Sequence, residues 1–204
     1  MSNFEIRQDE NGIGKVLILK GEWTDEVSSY MQANDIFALR LTDSFGFKGQ
    51  DITFLSKLDF LRSLELYCWN AKGIKVIESL PQLEVLGLQY KSAQKIDLTV
   101  FSKLRVALVT WSKGLGSLLG VSSLEKLNIQ NYPHSDLIPI SSMHGLKELY
   151  LTSRKLESLR GIEHLNKLET LDLYNCQKLV SLAGTENCPY LNTIETDACN
   201  RVSS

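Results

Sequence analysis

The sequence predicts an α/β repeat solenoid, in which short parallel strands stack one repeat above the next and are joined by turns and brief helices. Three observations predict it. A leucine pattern recurs at near-constant spacing through most of the 204 residues. The segments between its copies carry an apolar rhythm of their own. Residues 1–35 show neither feature and read as a separate cap.

The pattern is apolar, two variable residues, apolar, one variable residue, apolar. It appears as Ile36-Leu39-Leu41, Leu61-Leu64-Leu66, Leu83-Leu86-Leu88, Leu104-Ala107-Val109, Leu124-Leu127-Ile129, Leu146-Leu149-Leu151, Leu168-Leu171-Leu173 and Leu191-Ile194-Thr196. Successive starts lie 25, 22, 21, 20, 22, 22 and 23 residues apart. Side chains alternate faces along a strand, so the fourth and sixth residues of each unit point inward together. Each unit supplies one strand, and parallel neighbours require a crossover, which is the rest of the unit. Leu156, Leu159, Ile162, Leu165 and Leu168 recur every third residue, as do Ile74, Ile77, Leu80 and Leu83. That period suits 3₁₀-like turns better than an α-helix. One unit cannot bury its own apolar face, so stacking makes the core.

Over residues 36–199 these units resemble the leucine-rich repeat family, most closely its short-period class of about 22 residues per unit. The resemblance implies a horseshoe with a parallel concave sheet and a convex side of turns and short helices. The family's ninth position usually holds Asn or Cys, bonded to neighbouring loop backbone. Here that position holds Ser44, Trp69, Lys91, Ser112, Tyr132, Arg154, Cys176 and Cys199, so an asparagine ladder is absent. The run from Asn175 and Cys176 to Cys188 and Leu191 is similar to the Cys-type variants, and Thr196 makes the last repeat degenerate.

Ahead of the array, Phe4–Gln8 and Lys15–Lys20 read as two strands, and the turn signal Asn11-Gly12 between them predicts a hairpin. Thr24 is placed to cap a helix running to about Ala33. Residues 1–35 are therefore expected to form an N-terminal cap, 36–199 the repeats and 200–204 a tail. The C-terminal strand edge is barer. Either the polar tail shields it or another chain does, and self-association through that edge is one such arrangement.

Composition excludes some classes. Hydrophobic residues make up 43%, enough for a core, and 22 basic against 24 acidic residues leave a net charge of −2. Such a balance draws the chain neither to nucleic acid nor to an anionic membrane. No apolar run is long enough to span a bilayer and no secretory leader is visible, which predicts a cytoplasmic protein. Cys68, Cys176, Cys188 and Cys199 form no CxxC and are read as free thiols.

No catalytic or metal site emerges, and no cofactor is expected. The glycine-rich Lys113–Gly120 fits no phosphate-loop spacing. His134, His144 and His164 occupy different phases of the repeat and are not expected to converge.

The chemistry expected of this chain is recognition. Positions three, five, seven and eight of each unit are expected on the concave face. They include Tyr67, Tyr90, Trp111, Tyr150 and Tyr174, with Val85, Val106 and Leu108 as an apolar centre. Rigid aromatics of this kind dominate binding hot spots. Acids Asp43, Glu65, Glu148, Asp172, Glu195 and Asp197 outnumber the bases Arg40 and Lys126. The expected binding set is Tyr67, Tyr90, Val106, Leu108, Trp111, Tyr150, Asp172, Tyr174, Glu195 and Asp197, and the expected partner is a protein with a basic patch. The expected role is to bind and mask that partner, as an inhibitor or immunity-type protein does. An adaptor or substrate receptor of a larger assembly and a surface adhesin are the alternatives.

Overall fold

Each repeat contributes a five-residue strand because its leucines alternate with residues that face the other way. A computed structural model describes residues 3–91 and 94–202. The first two residues of the expected cap and the last two of the expected tail lie outside the described residues. The chain divides into two compact units, one formed by Met1–Leu104 with Ser112–Gly116, the other by Arg105–Trp111 with Ser117–Ser204.

In the first unit, β1 (Phe4–Gln8) and β2 (Lys15–Leu19) form the expected antiparallel hairpin. β2 then pairs in parallel with β3 (Ala38–Thr42), β3 with β4 (Ser63–Tyr67), and β4 with β5 (Val85–Gln89). The parallel sheet thus begins one strand before the first leucine unit. Leu17 and Leu19 stand in register with Leu39 and Leu41 and are equally buried. Helix α1 (Asp25–Ala33) follows Thr24, whose backbone carbonyl accepts from the Val27 amide while its side chain makes no capping bond. Trp23 stacks on Phe54 with ring centroids 4.3 Å apart.

In the second unit, β6 (Val106–Thr110), β7 (Lys126–Gln130), β8 (Glu148–Thr152), β9 (Thr170–Tyr174) and β10 (Thr193–Asp197) pair in parallel, in chain order. Leu127, Leu149 and Leu171 share one row and are fully buried. The period-three crossovers form 3₁₀ turns, among them Ile74–Ser79 in the first unit and Ile162–His164 in the second. Leu156, Leu159, Ile162, Leu165 and Leu168 are all buried beneath them.

The residues after each strand depart from expectation in an instructive way. Positions four, six and eight share a face wherever alternation runs on unbroken, and in three repeats position eight therefore points inward, while Asp43 at that position is exposed and Trp111 half-buried. Cys68, Tyr90 and Ser153 are accordingly buried, and Trp69, Lys91 and Arg154 after them are exposed. Asn131, Asn175 and Ala198 instead adopt left-handed φ values of 59°, 56° and 54°. Each inserts one residue's worth of bend, and Tyr132, Cys176 and Cys199 then turn inward. Asparagine tolerates that region because its short polar side chain bonds locally. The missing asparagine ladder is replaced by hydroxyl and thiol groups. Ser153 Oγ donates to Tyr132 O at 2.8 Å and accepts from Lys155 N and Leu156 N at 3.0 and 3.1 Å. Cys68 Sγ donates to Leu41 O at 3.4 Å, and Cys199 Sγ to Leu173 O at 3.3 Å.

Candidate functional site

Inward phases are consumed by the core, so positions three, five and seven form the outward face of the sheet. In the first unit this face is closed. Arg40 Nη2 donates to Glu65 Oε1 at 2.7 Å and Tyr67 Oη donates to Glu65 Oε2 at 2.9 Å, so one carboxylate serves two neighbours. Glu65 is only 3% exposed. A side chain at Gly87, in register with Glu65, would collide with Tyr67 Oη, so glycine makes room for the phenol. Burial, with Glu65 beside it, raises the Tyr67 phenol well above the usual tyrosine range.

The second unit's face opens toward its C-terminal end. Lys126 Nζ pairs with Glu148 Oε2 at 2.8 Å and lies 5.0 Å from the centre of the Tyr150 ring. Tyr150 Oη donates to Glu148 Oε2 at 2.9 Å. Its phenol is raised by burial, then by the bond to Glu148, with the charges of Glu148, Asp172 and Glu195 adding to the effect. Tyr150, Asp172 and Glu195 form one row, and Thr152, Tyr174 and Asp197 the next. Tyr174 is 50% exposed. Among the described residues, Asp172, Glu195 and Asp197 form no ion pair. Lys126 is already occupied by Glu148, so among the described residues the last repeats present acids and tyrosine with no base paired to them.

The structure redistributes the expected binding set. Tyr90 is 3% exposed, for the alternation reason given above, and donates to Gln94 O. It belongs to the packed interior. Val85 and Val106 are buried on the outward face and Leu108 is half-buried, so the expected exposed apolar centre is not formed. Trp111 is half-buried, with the His134 ring edge-on at 6.1 Å, and Tyr132 approaches the same imidazole at 5.4 Å. Tyr67 is tied to Glu65. Tyr150, Asp172, Tyr174, Glu195 and Asp197 stand on one open face of one unit.

All four thiols are free and buried. Desolvation pushes Cys68 and Cys176 up to about 12 each, with Asp43 and Cys199 respectively adding to it. Neither is poised as a nucleophile. No group of three or more His, Cys, Asp or Glu among the described residues could hold a metal ion. No described helix is long and apolar enough to cross a membrane.

No family model matches the chain. A curated relative from Arabidopsis thaliana, named as a homologue of the protein phosphatase 1 regulatory inhibitor subunit PPP1R7, is 31% identical over 113 residues. The match covers 52% of this chain and 34% of that protein, so the chain spans about a third of its length. Among solved structures the chain is similar to internalin C2 of Listeria monocytogenes, with TM-score 0.65 and 20% identity, over 89% of this chain and 80% of that one. A second internalin of that organism, inlF, gives TM-score 0.59 at 20% identity, over 82% of this chain and 53% of its own. These likenesses are of fold.

Proposed function

We propose that this chain, a leucine-rich repeat protein, acts by binding a protein partner through the open outward face of its C-terminal repeats and masking that partner's working surface. The observation that carries this reading is the grid of Tyr150, Asp172, Tyr174, Glu195 and Asp197, in which no acid has an ion-pair partner among the described residues. A tyrosine offers large contact area at low entropy cost, and unpaired acids around it select a basic surface. The phosphatase-subunit relative is named as a regulatory inhibitor, and an inhibitory role fits a chain whose chemistry is recognition. The partner is a protein with a basic patch. No cofactor takes part.

The test is comparative capture. Wild-type chain and an Asp172→Lys/Tyr174→Ala variant are immobilised and exposed to extract of the source organism. A partner retained by the first and lost by the second is expected, and its activity should fall as free chain is added. Equal capture by both would remove the open face from the interface.

A further inference from the structure

In the first unit, the chain that follows β2 and the chain that follows β3 border a cavity of about 420 Å³. Phe47, the most buried of its lining residues, is 4% exposed. Gly49 lines it too, and a Cβ there would stand 2.7 Å from Phe47 Cζ, so glycine lets the backbone pass close to that ring. Trp23 and Phe54, both half-buried, add a stacked pair with centroids 4.3 Å apart and planes 11° from parallel. Glu22 and Asp51 are exposed at the rim, one from each segment. Asp51 Oδ1 accepts from Thr53 N at 2.9 Å. That bond and the Thr53 side chain hold the Asp51 carboxyl below the ordinary range, with the charge of Lys72 adding to the effect. Among the described residues neither Glu22 nor Asp51 has an ion-pair partner, and no lysine, arginine or histidine lines the cavity.

We propose that this cavity receives an arginine side chain of a partner protein, its guanidinium against the Trp23–Phe54 pair and its N–H groups directed to Glu22 and Asp51. The volume lies within the roughly 300–1,000 Å³ of ordinary ligand sites. Aromatic walls and two unpaired carboxylates are complementary to a cation with a flat body. Arginine is planar, weakly hydrated, stacks on aromatic faces and carries several donors, enough for two carboxylates at once. Lysine brings a compact, strongly hydrated charge that loses its water without gaining a flat contact. Free arginine is a poorer occupant than arginine within a chain, because its own carboxylate would approach the two rim acids. The site lies wholly in the first unit and uses none of the residues of the second unit's open face. It therefore stands or falls separately from the function proposed for that face.

The probe is the peptide acetyl-Gly-Ser-Gly-Arg-Gly-Ser-Gly-amide. It is compared with the same peptide carrying citrulline or lysine in place of arginine, and with free arginine. The chain holds three tryptophans, so indole N–H signals, assigned by single Trp→Phe variants, report which ring is approached. The arginine peptide should move the Trp23 signal and leave those of Trp69 and Trp111. Glu22→Gln with Asp51→Asn removes both charges yet keeps an acceptor for Thr53 N. This double variant should bind the arginine peptide at least about tenfold more weakly, a loss of ~1.4 kcal/mol, with the thermal melt unchanged. The citrulline peptide should bind the wild-type chain no better than the arginine peptide binds the double variant. Equal binding of citrulline and arginine, undiminished binding by the double variant, or no shift at Trp23 overturns the proposal. Tighter binding of the lysine peptide overturns the choice of arginine, and tighter binding of free arginine overturns a protein partner. Self-association of the wild-type chain that the double variant abolishes overturns it in favour of a second copy.

Discussion

The outward faces of the two units are built from the same repeat and spend their charges differently. In the first, the central row reads Ile18, Arg40, Glu65 and Gly87, and its charges close on one another beneath Tyr67. In the second, the row reads Leu108, Asn128, Tyr150, Asp172 and Glu195, and its last two acids meet no base among the described residues. Opposite charges on neighbouring rungs hold strands together, while a run of one sign lacks that support. The difference lies in a single outward position, read across repeats.

That comparison presumes that the inward positions are alike in both units, and the largest effect tests this. Leu149→Asp or Leu171→Asp puts a carboxylate into a fully buried row. Either should destabilise by about 3–5 kcal/mol in denaturant melts, as expected for an unpaired buried charge. A change within the ~0.5 kcal/mol typical of surface sites would show that the inward row is misassigned.

The inward rows were legible because leucine spacing encodes a period of two within each strand and a near-constant period between strands. The short 3₁₀ crossovers were legible from their period of three. Position eight is inward at Cys68, Tyr90 and Ser153, where alternation from positions four and six runs on, and exposed at Asp43 and Asn131. What interrupts that alternation is a left-handed residue, and Asn131 and Asn175 advertise it while Ala198 does not. The Arg40–Glu65 pair was also within reach, since both residues occupy position five of consecutive units, 25 residues apart. Burial of Val106 and Ser63 on the outward face was not legible, because it depends on the size of neighbouring side chains on adjacent rungs.

The second effect sets the closed face against the open one directly. Glu65→Gln leaves Arg40, which is 19% exposed at its side chain, without its counter-ion and should cost about 3 kcal/mol. Glu148→Gln breaks a pair whose side chains are 31% and 38% exposed and should cost less than ~1 kcal/mol. Burial raises the Glu148 carboxyl, but its bonds to Lys126 and Tyr150 outweigh that and hold it below the ordinary range. A depressed folded-state pKa gives stability that is present above the unfolded pKa and lost as pH falls through the folded one. Glu148→Gln should therefore flatten the acid limb of the stability curve slightly. Equal costs for the two variants would erase the distinction between the faces.

A third and smaller contrast separates the aromatics. Trp111 is half-buried against His134, so Trp111→Ala should cost about 1–2 kcal/mol of stability whether or not it touches a partner. Tyr174→Ala should leave the melt within ~0.5 kcal/mol and weaken partner capture. A collapse of the Tyr174→Ala melt would make that ring structural and remove the aromatic anchor from the open face.

The smallest effect on stability is the most diagnostic of an open face. Asp172, Glu195 and Asp197 lie on adjacent rungs with no base paired to them among the described residues, so the fold carries their mutual repulsion. Asp172→Asn should raise stability by a few tenths of a kcal/mol, the magnitude of a like-charge pair across strands. Exposed charges are screened over roughly 10 Å at 0.1 M salt, so that gain should shrink as salt is added. Reversing all three acids to lysine should also slow association with a basic partner more than it speeds dissociation, and should flatten the salt dependence of the on-rate. Stability and binding then move in opposite directions from one set of residues, which a structural acid would not do. A loss of ~1 kcal/mol or more in Asp172→Asn would mean that the carboxylate accepts bonds that hold the repeats together. In that case the second face would be as closed as the first.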